Sequence, residues 1–263
     1  MRWIKKYVRE PEEIDHLKYL MRLDPKLIPR IKTITKDYYV IEQCKEIEER
    51  DFGPPKFYNL YLNLLTPLHK FKKENFTPGI YKYFAPYSIS HEIKNQNYIP
   101  HLLDEFEKII HSVSLQFPKL LDDVAFTNLF GFLKNSNAHF KNWKPFDGYS
   151  LLHGDLHIGN IVKRDSHFLL IDFEYLRYGA AELETANLII SCLIWHYRRS
   201  SDNKKLTRLN TAYFQISSEF PFLDNLSFKF FFIFSLSLFY LSLYLKGDQI
   251  GLAAVRKIIK DFL

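Results

Sequence analysis

HGDLHIGN at residues 153–160, followed by LIDFE at residues 170–174, is the part of this sequence that says most about its fold. Asp155 and Asn160 lie five positions apart, a spacing that fits one tight loop, and Asp172 follows a short apolar run. In phosphoryl transfer, one Asp accepts the proton of the attacking hydroxyl, while an Asn and a second Asp hold Mg²⁺ against the nucleotide phosphates. The order, the spacing and the apolar flanks of these residues all agree with that layout.

This pattern resembles the aminoglycoside phosphotransferase and choline kinase family, whose catalytic loop reads H-x-D-x-x-x-x-N and whose metal-binding segment reads hydrophobic-hydrophobic-D-x-E. The next segment, residues 175–187, also looks like the family's, and Glu184 takes the place of an acidic residue that braces the catalytic loop. Ala180 and Ala181 stand where the family usually has Asp-Pro. The resemblance is strong over residues 149–190 and looser elsewhere. It implies an α+β, two-lobed, protein-kinase-like fold.

The motif residues can be assigned chemical roles. Asp155 is the predicted catalytic base, because a carboxylate here can accept a hydroxyl proton as the bond to phosphorus forms. His153 is predicted to be structural, with its ring bonded into the loop backbone. Asn160 and Asp172 are the predicted Mg²⁺ ligands, since Mg²⁺ takes hard oxygen donors from few protein groups and keeps water and phosphate as its other ligands. Glu174 either assists a second metal ion or bonds the catalytic loop.

The phosphate-binding part of the sequence is less complete. Protein kinases cover the nucleotide phosphates with a Gly-rich loop, but this sequence has no glycine before Gly53. The resemblance implies that the chain begins at the family's third strand, which carries the phosphate-binding Lys, and that the N-terminal β lobe is truncated. Lys5 is predicted to be that Lys, with Glu13 as its partner on the following helix. Lys6 is the alternative, because neighbouring residues of a strand face opposite ways.

We predict two units: a reduced N-terminal nucleotide-binding lobe, residues 1–45, and a helical C-terminal lobe, residues 46–263, that holds the catalytic loop and the metal site. Residues 74–98 are predicted to be irregular. Strands are predicted at about 2–8, 27–35 and 38–43, and as a hairpin at 160–172. Apolar residues at helical spacing, together with helix start and stop signals, predict helices at about 10–24, 57–72, 102–113, 121–134, 182–198, 204–219, 226–245 and 248–262.

Composition sets limits on partners and location. The chain has 263 residues and a formal net charge of +6, which fits an anionic nucleotide, but it has no Arg-rich stripe, so nucleic acid is not an expected partner. Two cysteines without a pairing pattern and no apolar leader predict a cytoplasmic protein. The uncharged run 230–245 has 16 residues, fewer than the roughly 20 of a spanning helix. We therefore expect a buried helix, with peripheral membrane contact as the alternative.

The resulting hypothesis is a small-molecule kinase that uses ATP and Mg²⁺ and phosphorylates a hydroxyl of an amino alcohol, an aminoglycoside or a sugar. The acceptor is expected between the catalytic loop and the helices that follow it. A degenerate kinase-like protein, which binds nucleotide or regulates a partner without turnover, is the alternative. Aromatic side chains that either hold the acceptor, by cation–π attraction or by stacking, or belong to the core are Trp143, Phe146, Tyr149, Trp195, His196 and Tyr197.

Overall fold

The computed structural model describes residues 2–9, 12–73, 81–84, 87–89, 98–140, 143, 148–200, 208–209, 211–213 and 225–262. Its N-terminal part is a three-stranded antiparallel sheet in the order β1-β3-β2, with one helix, α1. These elements agree with the strands and the helix that the sequence predicts. Their bounds are β1 Trp3–Tyr7, α1 Glu13–Leu23, β2 Ile31–Ile34 and β3 Tyr38–Glu42.

Helix α1 packs by one apolar stripe. Ile14, Leu17 and Leu20 recur at helical spacing and are buried. Removing such side chains from water is the main favourable contribution to docking the helix, about 25 cal/mol per Å² of apolar surface. Strand β1 differs, because most of its residues are exposed on both faces. Its pattern therefore does not reveal which side chains face the rest of the protein.

Two further three-stranded sheets flank the motif residues. One has the order β10-β9-β4 and the other the order β11-β8-β5. The loop 153–160 joins β8 to β9, and the segment 171–174 follows β10, so adjacent strands bring the two motifs together. The strands are β4 Lys45–Glu46, β5 Lys72–Lys73, β8 Tyr149–Leu152, β9 Ile161–Arg164, β10 His167–Leu170 and β11 Arg177–Gly179.

The hairpin of β9 and β10 is the one predicted from residues 160–172. Four strands, β4, β5, β8 and β11, are not predicted from the sequence, because runs of two to four residues are too short to show a strand period. Residues 74–98, predicted to be irregular, contain an antiparallel pair, β6 Tyr81–Phe84 and β7 Tyr87–Ile89.

Helices form most of the remaining described chain. The predicted helix at 57–72 begins earlier, as α2 and α3, and continues through the wider turn Tyr61–Leu65 into α4. The predicted helix at 204–219 lies largely outside the described residues, and the division at residue 45 stays a prediction. The helices are α2 Glu49–Phe52, α3 Pro54–Leu60, α4 Thr66–His69, α5 Tyr98–Gln116, α6 Val124–Ser136, α7 Ala181–Arg199, α8 Asn225–Leu245 and α9 Gln249–Phe262.

Helix α8 fills the core of the helical part. Its aromatic rings stack on one another, as Phe230 and Phe234 do at 6.2 Å, and on α5 through the contact of Phe234 with Phe106. The segment Leu226–Leu245 is long and apolar enough to cross a membrane by length and composition. However, 78% of its most apolar window is buried inside the fold, which is the burial expected of a core helix.

Candidate active site

The backbone of the loop 153–160 is held by the buried ring of His153. Its Nε2 donates to the carbonyl oxygen of Ile171, at 2.7 Å, and its Nδ1 accepts from the N–H of Asp155, at 3.4 Å. Burial lowers the pKa of His153, so the ring is neutral and the two hydrogen bonds fix its proton on Nε2. The ring thus ties the loop to the segment 171–174. This is the structural role that the sequence predicts for His153.

Glu184, on helix α7, supports the same loop from the other side. Its Oε1 accepts from the N–H of Gly154, at 2.9 Å, and its Oε2 lies 3.1 Å from His69 Nε2. The carbonyl oxygen of Gly154 accepts from Arg177, at 3.1 Å. Because both backbone polar groups of Gly154 are bonded to buried charged side chains, the loop has little freedom to move.

Position 154 requires a glycine. Its φ is +89°, which L side chains rarely adopt, and a Cβ would lie 1.9 Å from the carbonyl oxygen of Tyr175. We expect Gly154→Ala to lower the free energy of unfolding by about 2 kcal/mol or more, because both the clash and the backbone strain must be relieved. Urea denaturation of the purified chain measures this.

Gly131→Ala is the matched control. Gly131 lies within helix α6, and a Cβ there meets nothing within 4 Å. Ala should therefore raise the free energy of unfolding by about 0.5–1 kcal/mol, by restricting the unfolded chain and favouring the helix. Equal effects of the two substitutions would contradict the argument for a locked loop.

Asp155 and Asn160 lie together in the loop. The side-chain amide of Asn160 donates to the carbonyl oxygen of Asp155, at 2.8 Å, and lies 3.5 Å from its carboxylate. This use of the amide nitrogen leaves the amide oxygen of Asn160 for another partner. The Asp155 carboxylate is half exposed, and His157 Nε2 is 3.8 Å from it. An accessible carboxylate in a fixed loop can accept a proton from a hydroxyl.

Asp172 has a φ of +66°, a conformation uncommon for residues other than glycine. Its carboxylate contacts Lys6 Nζ, and Lys6 Nζ lies 3.7 Å from Glu13 Oε1. Glu13 is fully buried and accepts from the hydroxyl of Tyr39, at 2.7 Å. Burial lowers the pKa of Lys6. A lysine and two carboxylates therefore meet where β1, α1 and the segment 171–174 converge.

Lys6, not Lys5, is the lysine at this site, which corrects the choice made from the sequence. Lys5 Nζ lies over the rings of Tyr38, at 3.8 Å, and Tyr7, at 4.8 Å, on the opposite face of β1. Successive strand residues alternate between faces, so a one-residue error in register selects the wrong lysine. Because most residues of β1 are exposed, β1 has no apolar face from which its register could be predicted. Glu13 is predicted as the partner of Lys5, but in the structure it pairs with Lys6.

The sequence allows two interpretations of Glu174, and the structure shows a contact that neither of them includes. Its carboxylate is mostly buried and lies 3.7 Å from the guanidinium of Arg9, whose side chain is 69% exposed. The backbone N–H of Arg9 donates to Glu13, at 3.3 Å. Arg9 is not predicted as a site residue, because nothing in the turn after β1 indicates that its side chain reaches residue 174.

Helix α1 is bonded directly to the segment 171–174. His16 Nδ1 lies 2.9 Å from the carbonyl oxygen of Phe173, and the buried ring of Phe173 packs on the ring of His153, at 5.3 Å. The sequence analysis also missed His16, which no motif marks. The N-terminal helix, the segment 171–174 and the catalytic loop therefore form one connected unit.

The donor set fits Mg²⁺. Asn160, Asp172 and Glu174 supply the hard oxygen donors that Mg²⁺ prefers, and Mg²⁺ needs only one or two protein carboxylates when phosphate is present. Lys6 Nζ and Asp172 Oδ1 are buried against each other, so a cation that can bind phosphate adjoins these donors. Among the described ranges, no three His, Cys, Asp or Glu side chains form a metal cluster.

Most of the aromatic residues considered for the acceptor belong to the core. His196, Tyr197 and Tyr149 are buried, and the Tyr197 hydroxyl donates to Asp261, at 2.8 Å. Trp143 packs on Phe231, and Phe146 lies outside the described residues. Trp195 differs: it is only half buried, and the Arg199 guanidinium lies over its ring, 4.0 Å from the centroid.

The chain is similar to known phosphotransferases. Residues 54–223 match the model of a family described as "Phosphotransferase enzyme family". No curated protein sequence matches the chain. Many solved structures do, at low identity, and the share of each chain covered is high.

Three of these structures illustrate the likeness. An ethanolamine kinase of Plasmodium vivax has 17% identity and a TM-score of 0.55, with 99% of this chain and 75% of that one covered. A thermostable aminoglycoside phosphotransferase has 12% identity and a TM-score of 0.61, covering 99% and 85%. The choline kinase LicA of Streptococcus pneumoniae has 14% identity and a TM-score of 0.55, also covering 99% and 85%. The predicted protein-kinase-like α+β fold is thereby confirmed.

Proposed function

The chain belongs to the phosphotransferase enzyme family, and on that basis we propose that it is an ATP-dependent kinase that requires Mg²⁺ and phosphorylates a hydroxyl of a small molecule. The observation that carries this proposal is that three separate parts of the chain meet. The Asn160 side chain bonds Asp155, and the backbone carbonyl oxygen of Asn160 accepts from the N–H of Ile171, at 3.1 Å. The next residue, Asp172, contacts Lys6. A carboxylate base, oxygen donors for a metal ion and a cation for phosphate are the groups that phosphoryl transfer needs.

We assign the proton transfer to Asp155. The hydroxyl oxygen of the acceptor forms a bond to the γ-phosphorus of ATP, the bond from that phosphorus to the β–γ bridging oxygen breaks, and ADP leaves with the electron pair. The hydroxyl proton passes to the Asp155 carboxylate, which is accessible and fixed by the Asn160 amide. His153 and Glu184 act only by holding this loop in place.

We assign the nucleotide phosphates to Lys6, with Arg9 as a second cation. Glu13, held by Tyr39, orients Lys6 toward Asp172.

Asn160 and Asp172, with Glu174 nearby, would hold Mg²⁺. When bound, Mg²⁺ supplies charge neutralisation and alignment of the β- and γ-phosphates. A nucleotide and a small hydroxyl compound are therefore the proposed ligands, and some solved relatives contain such pairs, for example ADP with hygromycin B.

Mg²⁺-dependent ADP release in the presence of alcohols tests this proposal. Purified protein is mixed with ATP, Mg²⁺ and a panel of amino alcohols, aminoglycosides and sugars, and ADP is measured with and without each acceptor. We expect at least one acceptor to stimulate ADP release, and EDTA to abolish it. Phosphorus NMR then identifies the phosphorylated oxygen.

A kinase-like protein that binds nucleotide without turnover is the second candidate. It would apply if no Gly-rich loop covers the phosphates, and residues 1–52 of this sequence contain no glycine. Thermal stabilisation by nucleotide and Mg²⁺ with no acceptor-dependent ADP release would support this candidate. Neither stabilisation nor ADP release would contradict both.

Replacing Lys6 should weaken nucleotide use much more than replacing Lys5. We expect Lys6→Met to raise the KM for ATP about 10- to 100-fold, the value of one charge-assisted hydrogen bond. Lys5→Met is the matched control and should change the KM less than about twofold, because Lys5 faces the Tyr38 and Tyr7 rings. Steady-state kinetics against ATP, with melting temperatures for both variants, measures this; equal KM values would overturn the assignment.

A further inference from the structure

One face of helix α7 begins at the catalytic loop and runs away from it. We call it the α7 strip: Ser191, Trp195 and Arg199, which follow one another at i+4 spacing. Ser191 Oγ accepts from the N–H of Ile158 in the catalytic loop, at 3.1 Å. Since an α-helix rises 1.5 Å per residue, Trp195 and Arg199 lie about 6 and about 12 Å along the axis from Ser191. The strip spans the length of a small acceptor molecule.

Trp195 is fixed on this strip by packing. Its ring meets the ring of the buried Phe52 edge to face, at 5.1 Å. Phe52 ends helix α2, and the preceding residue, Asp51, pairs with Lys163 of β9, the strand that continues the catalytic loop. The same hairpin thus positions the catalytic loop and, through α2, the Trp195 ring.

Arg199 covers one face of the Trp195 ring. Its guanidinium lies 4.0 Å from the ring centroid, a cation–π stack. This is the surface on which an aromatic side chain would hold a quaternary amine. The guanidinium both covers that surface and repels another cation, so the strip is unsuited to choline-like or aminoglycoside-like groups.

Arg199 differs from the two residues before it in its charge partners. The neighbouring Arg198 contacts the carboxylate of Asp248, and Tyr197 bonds Asp261. In the part of the chain that the structure describes, no carboxylate pairs with Arg199. A stacked guanidinium keeps its planar set of N–H donors, which match the two oxygens of a carboxylate or phosphate.

We propose that the acceptor is an anionic hydroxyl compound, whose carboxylate or phosphate binds Arg199 while its hydroxyl lies at Asp155. This inference rests on the proposed function, because it names the substrate class of the same site. Transfer then follows the bond changes given above, and the anionic group of the acceptor takes no part in them. Arg199 binds the acceptor and sets its specificity.

Matched acceptors test the inference. The probes are neutral, acidic and basic members on two carbon skeletons: glycerol, glycerate, glycerol 3-phosphate and 3-amino-1,2-propanediol, and glucose, glucuronate, glucose 6-phosphate and glucosamine. ADP release with Mg²⁺ and ATP is measured for each. We expect at least one acid to exceed its neutral and basic counterparts about tenfold or more in kcat/KM. Comparing carboxylates with phosphates identifies which anion the site takes. Phosphorylation of a basic or neutral member in preference to its acidic counterparts would overturn the inference.

Variants of Arg199 separate this role from folding. Arg199→Ala should lower kcat/KM for the preferred acid about 10- to 100-fold, with the KM for ATP unchanged, and Arg199→Lys should retain part of the effect. Arg22→Ala, at an exposed residue of α1, is the control and should change neither value. An unchanged kcat/KM in Arg199→Ala would contradict the proposal even if acids are preferred.

Binding measured without turnover distinguishes failure of the proposed kinase activity from failure of the proposed anion site. Thermal unfolding is measured with each acid and no nucleotide. If an acid stabilises the wild type but not Arg199→Ala, the assignment of the anion site to Arg199 is supported. Absence of ADP release would then contradict only the proposed kinase activity. If amines or neutral alcohols are phosphorylated and acids neither bind nor react, the kinase activity stands and the anion site falls.

Discussion

Asp155→Asn is expected to lower kcat for acceptor phosphorylation by about 10²- to 10⁴-fold, the usual contribution of a positioned general base. The Asn side chain has nearly the same size and cannot accept the hydroxyl proton. The Asp155 side chain is half exposed, and the carbonyl oxygen that receives the Asn160 amide is unchanged, so folding should be preserved. ADP release at saturating ATP and acceptor measures the loss.

Nucleotide binding in the same variant provides the internal check. Thermal stabilisation by ATP and Mg²⁺ should be retained, because Asn160, Asp172 and Lys6 are intact. Asp122→Asn, at an exposed turn before helix α6, is the control and should leave kcat unchanged. A fall in kcat of less than about tenfold would mean that the acceptor loses its proton elsewhere, and that Asp155 is not the base.

The fold class and the motif residues could be predicted because their signals are local in sequence. Asp155 and Asn160 belong to one loop, and Asp172 and Glu174 to one segment, so their spacing alone brings each pair close. The core helices were also predictable. The apolar residues of α1, such as Leu17, recur at the helical period on one buried face, and those of α8, such as Phe234, form a long uncharged run.

What could not be predicted depends on register and on contacts distant in sequence. The choice between Lys5 and Lys6 depends on which face of β1 meets the segment 171–174, and β1 is exposed on both faces. Arg9 reaches Glu174 across 165 positions, and His16 reaches Phe173 across 157. The spacing of apolar residues along the sequence does not predict such pairs, because they form only when separate elements pack together.

The contact of His16 with Phe173 also links the N-terminal helix to the predicted metal site. Helix α1 carries Glu13, which holds Lys6, and the same helix bonds the backbone one residue beyond Asp172. A shift of α1 would therefore change the Lys6 position and the backbone at Asp172 together. Phosphate binding and metal binding should accordingly be lost together when this unit is damaged.

Asp172→Asn is the sharpest test of the metal assignment. At a nucleotide concentration of 100 Kd, a binding protein gains about 2.7 kcal/mol of stability. We expect the wild type to show a gain of this size that requires Mg²⁺, and Asp172→Asn to show almost none. Transfer activity should be lost with it, because an amide in place of the carboxylate removes the charge that holds the metal ion.

Asp165→Asn is a control matched in backbone as well as chemistry. Asp172 and Asp165 are the described residues other than glycine with positive φ, +66° and +55°, and Asp165 lies exposed at the turn between β9 and β10. Asn tolerates this conformation as well as Asp, so both substitutions remove one charge without backbone strain. If Asp165→Asn keeps the Mg²⁺-dependent gain and Asp172→Asn loses it, the loss belongs to the metal site. If Asp172→Asn keeps it, Mg²⁺ is held by other groups and the assignment is wrong.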